Sequence, residues 1–320
     1  MSPAARAPVA VIGAAGFIGS ALVARLARNG TPVIAVARRE ASSVPRAGVV
    51  WRAVGDMTAA IDWAGVLAGA RAVVHLASRA HAPPGESGWI ERDATLAAWL
   101  GRGASAAGVE RLLLMSSIKV LGAPSAGAAF RSGQSAAPDD AYGFAKWSIE
   151  EAMRAATAGG PALIVLRPPL VYGPGVKANF LALLRVVDRA LPLPFASVAN
   201  RRSLVSIDNL IDLIEAALDH PAARHGTFLL RDDDEPSTPA LIRAIARALA
   251  RPARLLPCPP PLLRLGLAAI GRGDLAERLL GSLTIDDSET RQRLGWRPRV
   301  ALADGLAATC RWYRSGAWQP

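Results

Sequence analysis

The stretch "VAVIGAAGFIGSALVARLARNG", residues 9 to 30, constrains the fold more than any other. A short β-branched run ends at Gly13, Gly16 and Gly19 come after it at three-residue intervals, and a helical apolar period then begins. Glycine at such a junction lets the backbone turn tightly and come close to a neighbour. The N-terminus of the helix behind it favours negative charge such as a pyrophosphate. The spacing is G-x-x-G-x-x-G rather than G-x-G-x-x-G, and a plain tight strand–helix turn is the competing explanation. Its place after a strand and before a helix favours dinucleotide binding.

The same alternation of strand and helix recurs through the first half of the chain. "PVIAVA", "GVVWRAVG", "RAVVHLA", "ERLLLMSS" and "PALIVLRP" each read as a buried strand ending in a small or polar residue. Between them lie amphipathic stretches of helical length, such as 17–29 and 89–107. Strands alternating with helices predict right-handed crossovers and an α/β fold, a Rossmann-like doubly wound parallel sheet. After residue 170 the pattern loosens: "GPGVKANFLALLRVVDRALPLPF" reads as a loop, a helix and a short strand. Helices are then expected near 207–219, 237–250, 260–280 and 302–315. The expected organisation is a dinucleotide-binding domain over 1–170, with returning segments near 203–232. A smaller, mostly helical substrate lobe over 171–320 would sit above the carboxyl edge of the sheet, where open α/β sheets bind ligands.

The 320 residues, 51% hydrophobic, can bury a sizeable core without disulfides. Cys258 and Cys310 stand far apart in no metal-ligand spacing, which fits a reducing cytoplasm and predicts no metal site. The glycine-punctuated start does not read as a signal peptide. "PPPLLRLGLAAIGR" is too short to span a bilayer and carries Arg264, so it reads as a buried or interfacial helix and no integral membrane segment is expected. A net charge of +11 invites a nucleic-acid reading, but the arginines are scattered and aromatic content is 5%. Steering of an anionic small substrate is the better account, with no nucleic acid.

Three further stretches carry chemistry. The second strand ends at Ala37 rather than at an acid, and Arg38 and Arg39 come next. A carboxylate there would accept from the ribose 2′-hydroxyl of NAD, whereas a guanidinium can pair with a 2′-phosphate. Arg38 therefore favours NADP(H), with NAD(H) also open, and two solvated surface arginines are the alternative. "LLLMSSIKVLG" ends the fifth strand with Ser116 and Ser117, either facing the ligand crevice or simply capping a turn. "DDAYGFAKW" places Tyr142 and Lys146 at i and i+4, on one helical face, with Asp139 and Asp140 at the helix start.

A dinucleotide motif, a strand-end serine and a Tyr/Lys pair, in that order, resemble the short-chain dehydrogenase/reductase superfamily. The length and the divergent C-terminal portion are similar to its extended branch, the nucleotide-sugar epimerases and dehydratases. Within that branch "SSIKVLG", "DDAYGFAKW", "RPPLVYGPGVKANFLALLR", "NRRSLVSIDNLIDLI" and "RQRLGWRP" look most like bacterial UDP-4-keto-6-deoxy-N-acetylhexosamine 4-reductases of polysaccharide biosynthesis. The resemblance implies that Tyr142 is the acid/base, with its phenol pKa lowered by Lys146 and the cofactor ring. It implies that Lys146 also holds the nicotinamide ribose and that Ser117 bonds the reacting oxygen. As cofactor contacts it implies Gly13, Gly16, Phe17, Ile18 and Gly19, then Asp56 and Met57 near the adenine, and Leu76, Ala77 and Pro169 beside the cofactor. Asn179 and Arg202 would grip the UDP diphosphate, with Phe195 in the uracil-contacting segment. A homodimer is implied as well. His75 reads as a satisfied core residue rather than a catalyst.

The departures narrow the reaction. The 4,6-dehydratases carry an Asp-Glu pair where this chain has Ile118 and Lys119, so that elimination lacks its carboxylates. Leu170 stands where many relatives have a substrate-contacting asparagine. The usual helix asparagine before the serine strand has no counterpart, and "IERDATLAA" offers Glu91 and Asp93 instead. The favoured expectation is hydride delivery to a 4-keto group of a UDP-linked, N-acetylated sugar. The alternatives are a UDP-hexose 4-epimerase and a reductase of steroid- or flavonoid-like ketones. A non-catalytic dinucleotide sensor would be expected to lack Tyr142 or Lys146.

Overall fold

The computed structural model describes residues 7–39, 46–56, 61–77, 88–122, 128–269, 271 and 273–318. Among the described residues nine short strands form in chain order: β1 (Val9–Ile12), β2 (Val33–Ala37), β3 (Val49–Ala53), β4 (Ala72–His75), β5 (Arg111–Met115), β6 (Ala162–Arg167), β7 (Leu170–Tyr172), β8 (Leu204–Ser206) and β9 (Thr227–Leu229). Seven of them build one sheet in the order β3-β2-β1-β4-β5-β6-β9, and β7 pairs with β8 beside it. Every pairing is parallel, with Val9 opposite both Val33 and Ala72.

Helices connect and cover these strands. They are α1 (Phe17–Arg28), α2 (Trp63–Leu67), α3 (Trp89–Ala106), α4 (Ala141–Ala156), α5 (Ala178–Asp188), α6 (Ile207–Asp219), α7 (Thr238–Ala248), α8 (Pro260–Ala269), α9 (Gly273–Leu280), α10 (Ser288–Leu294) and α11 (Leu302–Arg314). The sheet is buried on both faces, which is why its central strands are apolar at every position. Val9, Val11, Val33, Ala35 and Val74 face α1 and α6 through Leu22, Leu26, Leu210 and Ile214. Ala10, Ile12, Ile34, Val36 and Leu112 face α2, α3 and α4 through Trp63, Leu100, Ile149 and Met153. A third core joins α5, α7 and α11 around Tyr172, Phe180, Ile245 and Leu306.

All six expected strands of the first half form. The single helix expected over 260–280 is two, because Gly271, with φ at 69°, separates α8 from α9. The short strand expected near Phe195 is reduced to one bridge between Leu193 and Leu255. Pro192 and Pro194 flank that bridge and have no N–H to extend a ladder.

A candidate active site at the carboxyl edge of the sheet

The strand order reverses between β1 and β4, and the crevice opens at their carboxyl ends. Gly13 leaves β1 with φ at 86°, and a Cβ there would come within 2.9 Å of the Ala77 nitrogen. Only glycine allows the end of β1 to lie against Leu76 and Ala77 in this way. A Cβ at Gly19 would strike the Gly13 carbonyl, so that glycine seats α1 against the turn. α1 starts at Gly16 with no side-chain cap and no acid in its first turn. Its free N–H groups and positive end suit a pyrophosphate, so a dinucleotide fits these residues.

Phe17 and Ile18, in that first turn, pack against the sheet core, and a Cβ at Gly175 would touch the Phe17 ring. Arg38 and Arg39 are exposed immediately after β2. Asp56 is exposed beyond the end of β3, on the same carboxyl edge. Met57 lies outside the described residues. Pro169 is buried between β6 and β7, while Leu170 is exposed.

The proton-handling residues come from β5 and α4. Ser117 is buried at the end of β5, where its Oγ accepts from the Lys119 N–H at 3.3 Å. It therefore caps the following 3₁₀ turn (Ile118–Leu121) and is also hydrogen-bonded to Tyr142. Asp140 caps α4 by accepting from the Gly143 N–H at 2.7 Å. A Cβ at Gly143 would strike the Lys119 carbonyl, so this glycine brings Tyr142 close to the Ser117 turn.

The Tyr142 phenol is raised above its ordinary range, chiefly by burial; the Ser117 hydrogen bond pulls it down and Asp140 pushes it up. The lowering expected from Lys146 and the cofactor ring together does not appear in the chain alone, where burial dominates. The ammonium lies 5.9 Å from the Tyr142 ring centroid and donates to the Met115 carbonyl at 3.0 Å. Burial lowers Lys146 itself to about 8, against the opposing charges of Asp93 and Glu150.

Three further residues belong to this arrangement, one of them offered above in place of the missing asparagine. Asp93, not Glu91, is the α3 carboxylate that stands buried near Lys146; Glu91 is exposed. Glu150 lies one turn beyond Lys146 and is fully buried. It accepts from Ser116 Oγ at 2.5 Å, from Arg167 at 2.9 and 2.7 Å, and from Arg154 at 2.7 Å. The i, i+4, i+8 spacing of Tyr142, Lys146 and Glu150 was legible, but partners arriving from β6 were not. Arg278, on α9, is close enough to influence both Arg202 and Asp140. No motif pointed to it.

His75 is buried at the end of β4 and held near 3, first by burial and then by the Lys146 charge. Its Nδ1 has no hydrogen-bond partner among the described residues, so it is a core residue but not a satisfied one. Arg202 is half-buried and donates to the Gly281 carbonyl at 3.2 Å. Burial, and then the like charge of Arg278, lower it. Two guanidiniums near one another, Arg202 half-buried and Arg278 exposed, can together meet a multiply charged anion. Asn179 is exposed in the first turn of α5, and Phe195 is half-buried where two apolar clusters meet.

Residues 9–229 match the NAD dependent epimerase/dehydratase family. The chain is 37% identical over 309 residues to a UDP-glucose 4-epimerase of Vibrio cholerae, covering 94% of each. It is 28% identical over 337 residues to a ceramide reductase of Caulobacter vibrioides, covering 100% of this chain and 98% of that one. Among solved structures, a UDP-glucuronic acid 4-epimerase from Bacillus cereus in complex with NAD superposes with a TM-score of 0.79 at 19% identity. That match covers 98% of this chain and 100% of the other.

Proposed function

This chain belongs to the NAD-dependent epimerase/dehydratase family, and on that premise we propose that it transfers hydride at C4 of a UDP-linked N-acetylhexosamine, in the direction of 4-keto reduction. One observation carries the reading. Arg278 of α9 lies near enough for its charge to act on both Arg202 and Asp140, the residue that starts the tyrosine helix. That proximity supports a reading in which proton handling and anion binding serve one nucleotide-sugar substrate. An uncharged steroid-like ketone would have no use for the arginines.

The nicotinamide, when bound, supplies the hydride. Gly13, Gly16, Phe17, Ile18, Gly19, Leu76, Ala77 and Pro169 form its seat in this reading, with Asp56 and Met57 toward the adenine. Ser117 orients the C4 oxygen by hydrogen bonding. Tyr142, an ordinary phenol whose pKa burial raises further, is neutral at physiological pH and so in the correct state to give a proton to that oxygen. Lys146 holds the ribose from a position fixed by the Met115 carbonyl. Arg202, Arg278 and Asn179 take the diphosphate, and Phe195 lies toward the uracil. Ile118 and Lys119 offer no carboxylate for a dehydration. Lys119 is instead engaged by Asp140, at 3.1 Å.

Exposed Arg38, next to Ala37 where an acid would suit NAD, supports NADP(H). The reading assigns cofactor binding to residues 1–170 with the returning 203–232 segment, and substrate binding to 171–320. It places the reaction in the cytoplasm. A homodimer is part of it, supported by Phe144, exposed beside Trp147 on α4.

The second reading is a UDP-hexose 4-epimerase, favoured by the 37% identity to such an enzyme. Cofactor exchange separates the two. A reductase should purify largely free of nicotinamide and consume one NADPH per UDP-4-keto-6-deoxy-N-acetylhexosamine reduced. Protein that arrives with tightly held NAD, and interconverts UDP-glucose and UDP-galactose with none added, would replace the first reading by the second.

A further inference from the structure

Residues 251–273 hold four arginines (Arg251, Arg254, Arg264 and Arg272, the last outside the described residues) and no acid, although Arg251 is paired with Asp188 at 3.0 Å. The apolar residues of the same stretch do not withdraw from water. Leu263 and Leu267 lean on a small cluster that includes Phe195, Val198 and Leu280. Leu262 and Leu265, on the outer side of α8, are 59% and 68% exposed. Leu256, just before the helix, is 53% exposed, and Leu191 is 46% exposed. Backbone hydrogen bonds between Leu193 and Arg254, and between Leu256 and Leu193, hold these two segments side by side. Four of the seven large apolar side chains exposed among the described residues therefore gather in one region.

We propose that this face docks on the surface of an anionic lipid bilayer. Leu262, Leu265 and Ala269 form a stripe at i, i+3 and i+7, and Arg264 stands beside it. A short helix with leucines on its outer face, Arg254 and Arg264 nearby and no acid in its own segment has the character of an interfacial helix. The leucines enter the headgroup–acyl boundary while Arg254 and Arg264 remain among the anionic headgroups. Arg264 also pairs with Glu277 on α9, which holds the helix to the body. A second copy of this chain would bring the same positive charge to the same face, so charge selects lipid over self-association. Among the described residues no helix is long and apolar enough to cross a membrane, and the contact is a surface one. Lipid docking at this face does not depend on the proposed reaction.

Co-sedimentation of the full chain with vesicles tests it. Vesicles of phosphatidylcholine mixed with phosphatidylglycerol should bind the protein, and vesicles of phosphatidylcholine alone should not. Leu262→Glu with Leu265→Glu should weaken binding by about tenfold or more, and added salt should weaken it too. Both leucines are exposed, so the circular dichroism spectrum and the thermal midpoint should stay unchanged in the variant. Equal recovery with both vesicle types, or undiminished binding by the double variant, would overturn the proposal. So would a wild-type oligomer in light scattering that becomes monomeric in the double variant without lipid, which would assign the face to a second copy.

Discussion

Lys146 is buried, and burial brings its pKa from 10.5 to about 8. The ammonium is the form that can hold a ribose hydroxyl and assist Tyr142, and it is the form that burial penalises. In the free protein the lysine is charged below about 8 and neutral above it, so cofactor affinity should weaken as pH rises through that value. Titrating NADPH across this range should show the weakening in wild type, and Lys146→Arg, whose charge does not titrate there, should lack it. Tyr142→Phe should lower turnover by about two to four orders of magnitude, the loss expected for a positioned proton donor, with little change in cofactor affinity. Near-normal turnover in Tyr142→Phe would remove the proposed proton donor. The tyrosine–lysine pair was legible because spacing on a helix is a local property. The direction of the phenol's shift was not, because it depends on how much water the folded chain excludes.

At the scale of elements, α4 is the piece that joins chemistry to framework. Its first turn carries Tyr142, its second Lys146, and its third sends Glu150 into the sheet. Glu150 holds Arg167 of β6 and Ser116 at the end of β5. The pairing keeps the carboxyl below the usual carboxylate range, although burial alone would raise it. Glu150→Ala leaves the Arg167 guanidinium buried without its main partner, and should cost about 3–5 kcal/mol of stability in urea unfolding. A loss below about 1 kcal/mol would mean that water reaches Arg167 readily. The six strands of the first half were legible because two covered faces demand unbroken apolar runs. β7, β8 and β9 span three residues each and leave almost no periodicity to read. Their existence depends on neighbours far away in the chain.

Across the whole molecule, the C-terminal elements return to the sheet through a buried polar knot. Tyr172 donates to Asp232 at 2.8 Å, and Asp232 accepts from the Ser206 N–H and from Asn209 at 2.7 Å. Asn209 in turn donates to the Val300 carbonyl at 2.8 Å. Arg278 of α9, far from α4 in the chain, comes near enough for its charge to act on both Asp140 and Arg202. Arg278→Ala should weaken UDP binding by about 1.5–3 kcal/mol, the range for a hydrogen bond to a charged group, and leave cofactor binding unchanged. Isothermal titration with UDP and then with NADPH separates the two effects, and unchanged UDP affinity would take Arg278 out of the site.

The sequence by itself determined the parallel sheet, the glycine turn after β1 and the Ser117–Tyr142–Lys146 set. Each is written in short-range features: alternation of strand and helix, absence of a side chain at Gly13, and spacing along one helix. Tertiary structure alone decided which charges meet. Asp93 beside Lys146, Arg167 against Glu150 and Arg278 near Arg202 join residues from different elements. A charge seen in sequence has no fixed partner, because its energy depends on distance and on excluded water, and both are set only when the whole chain packs.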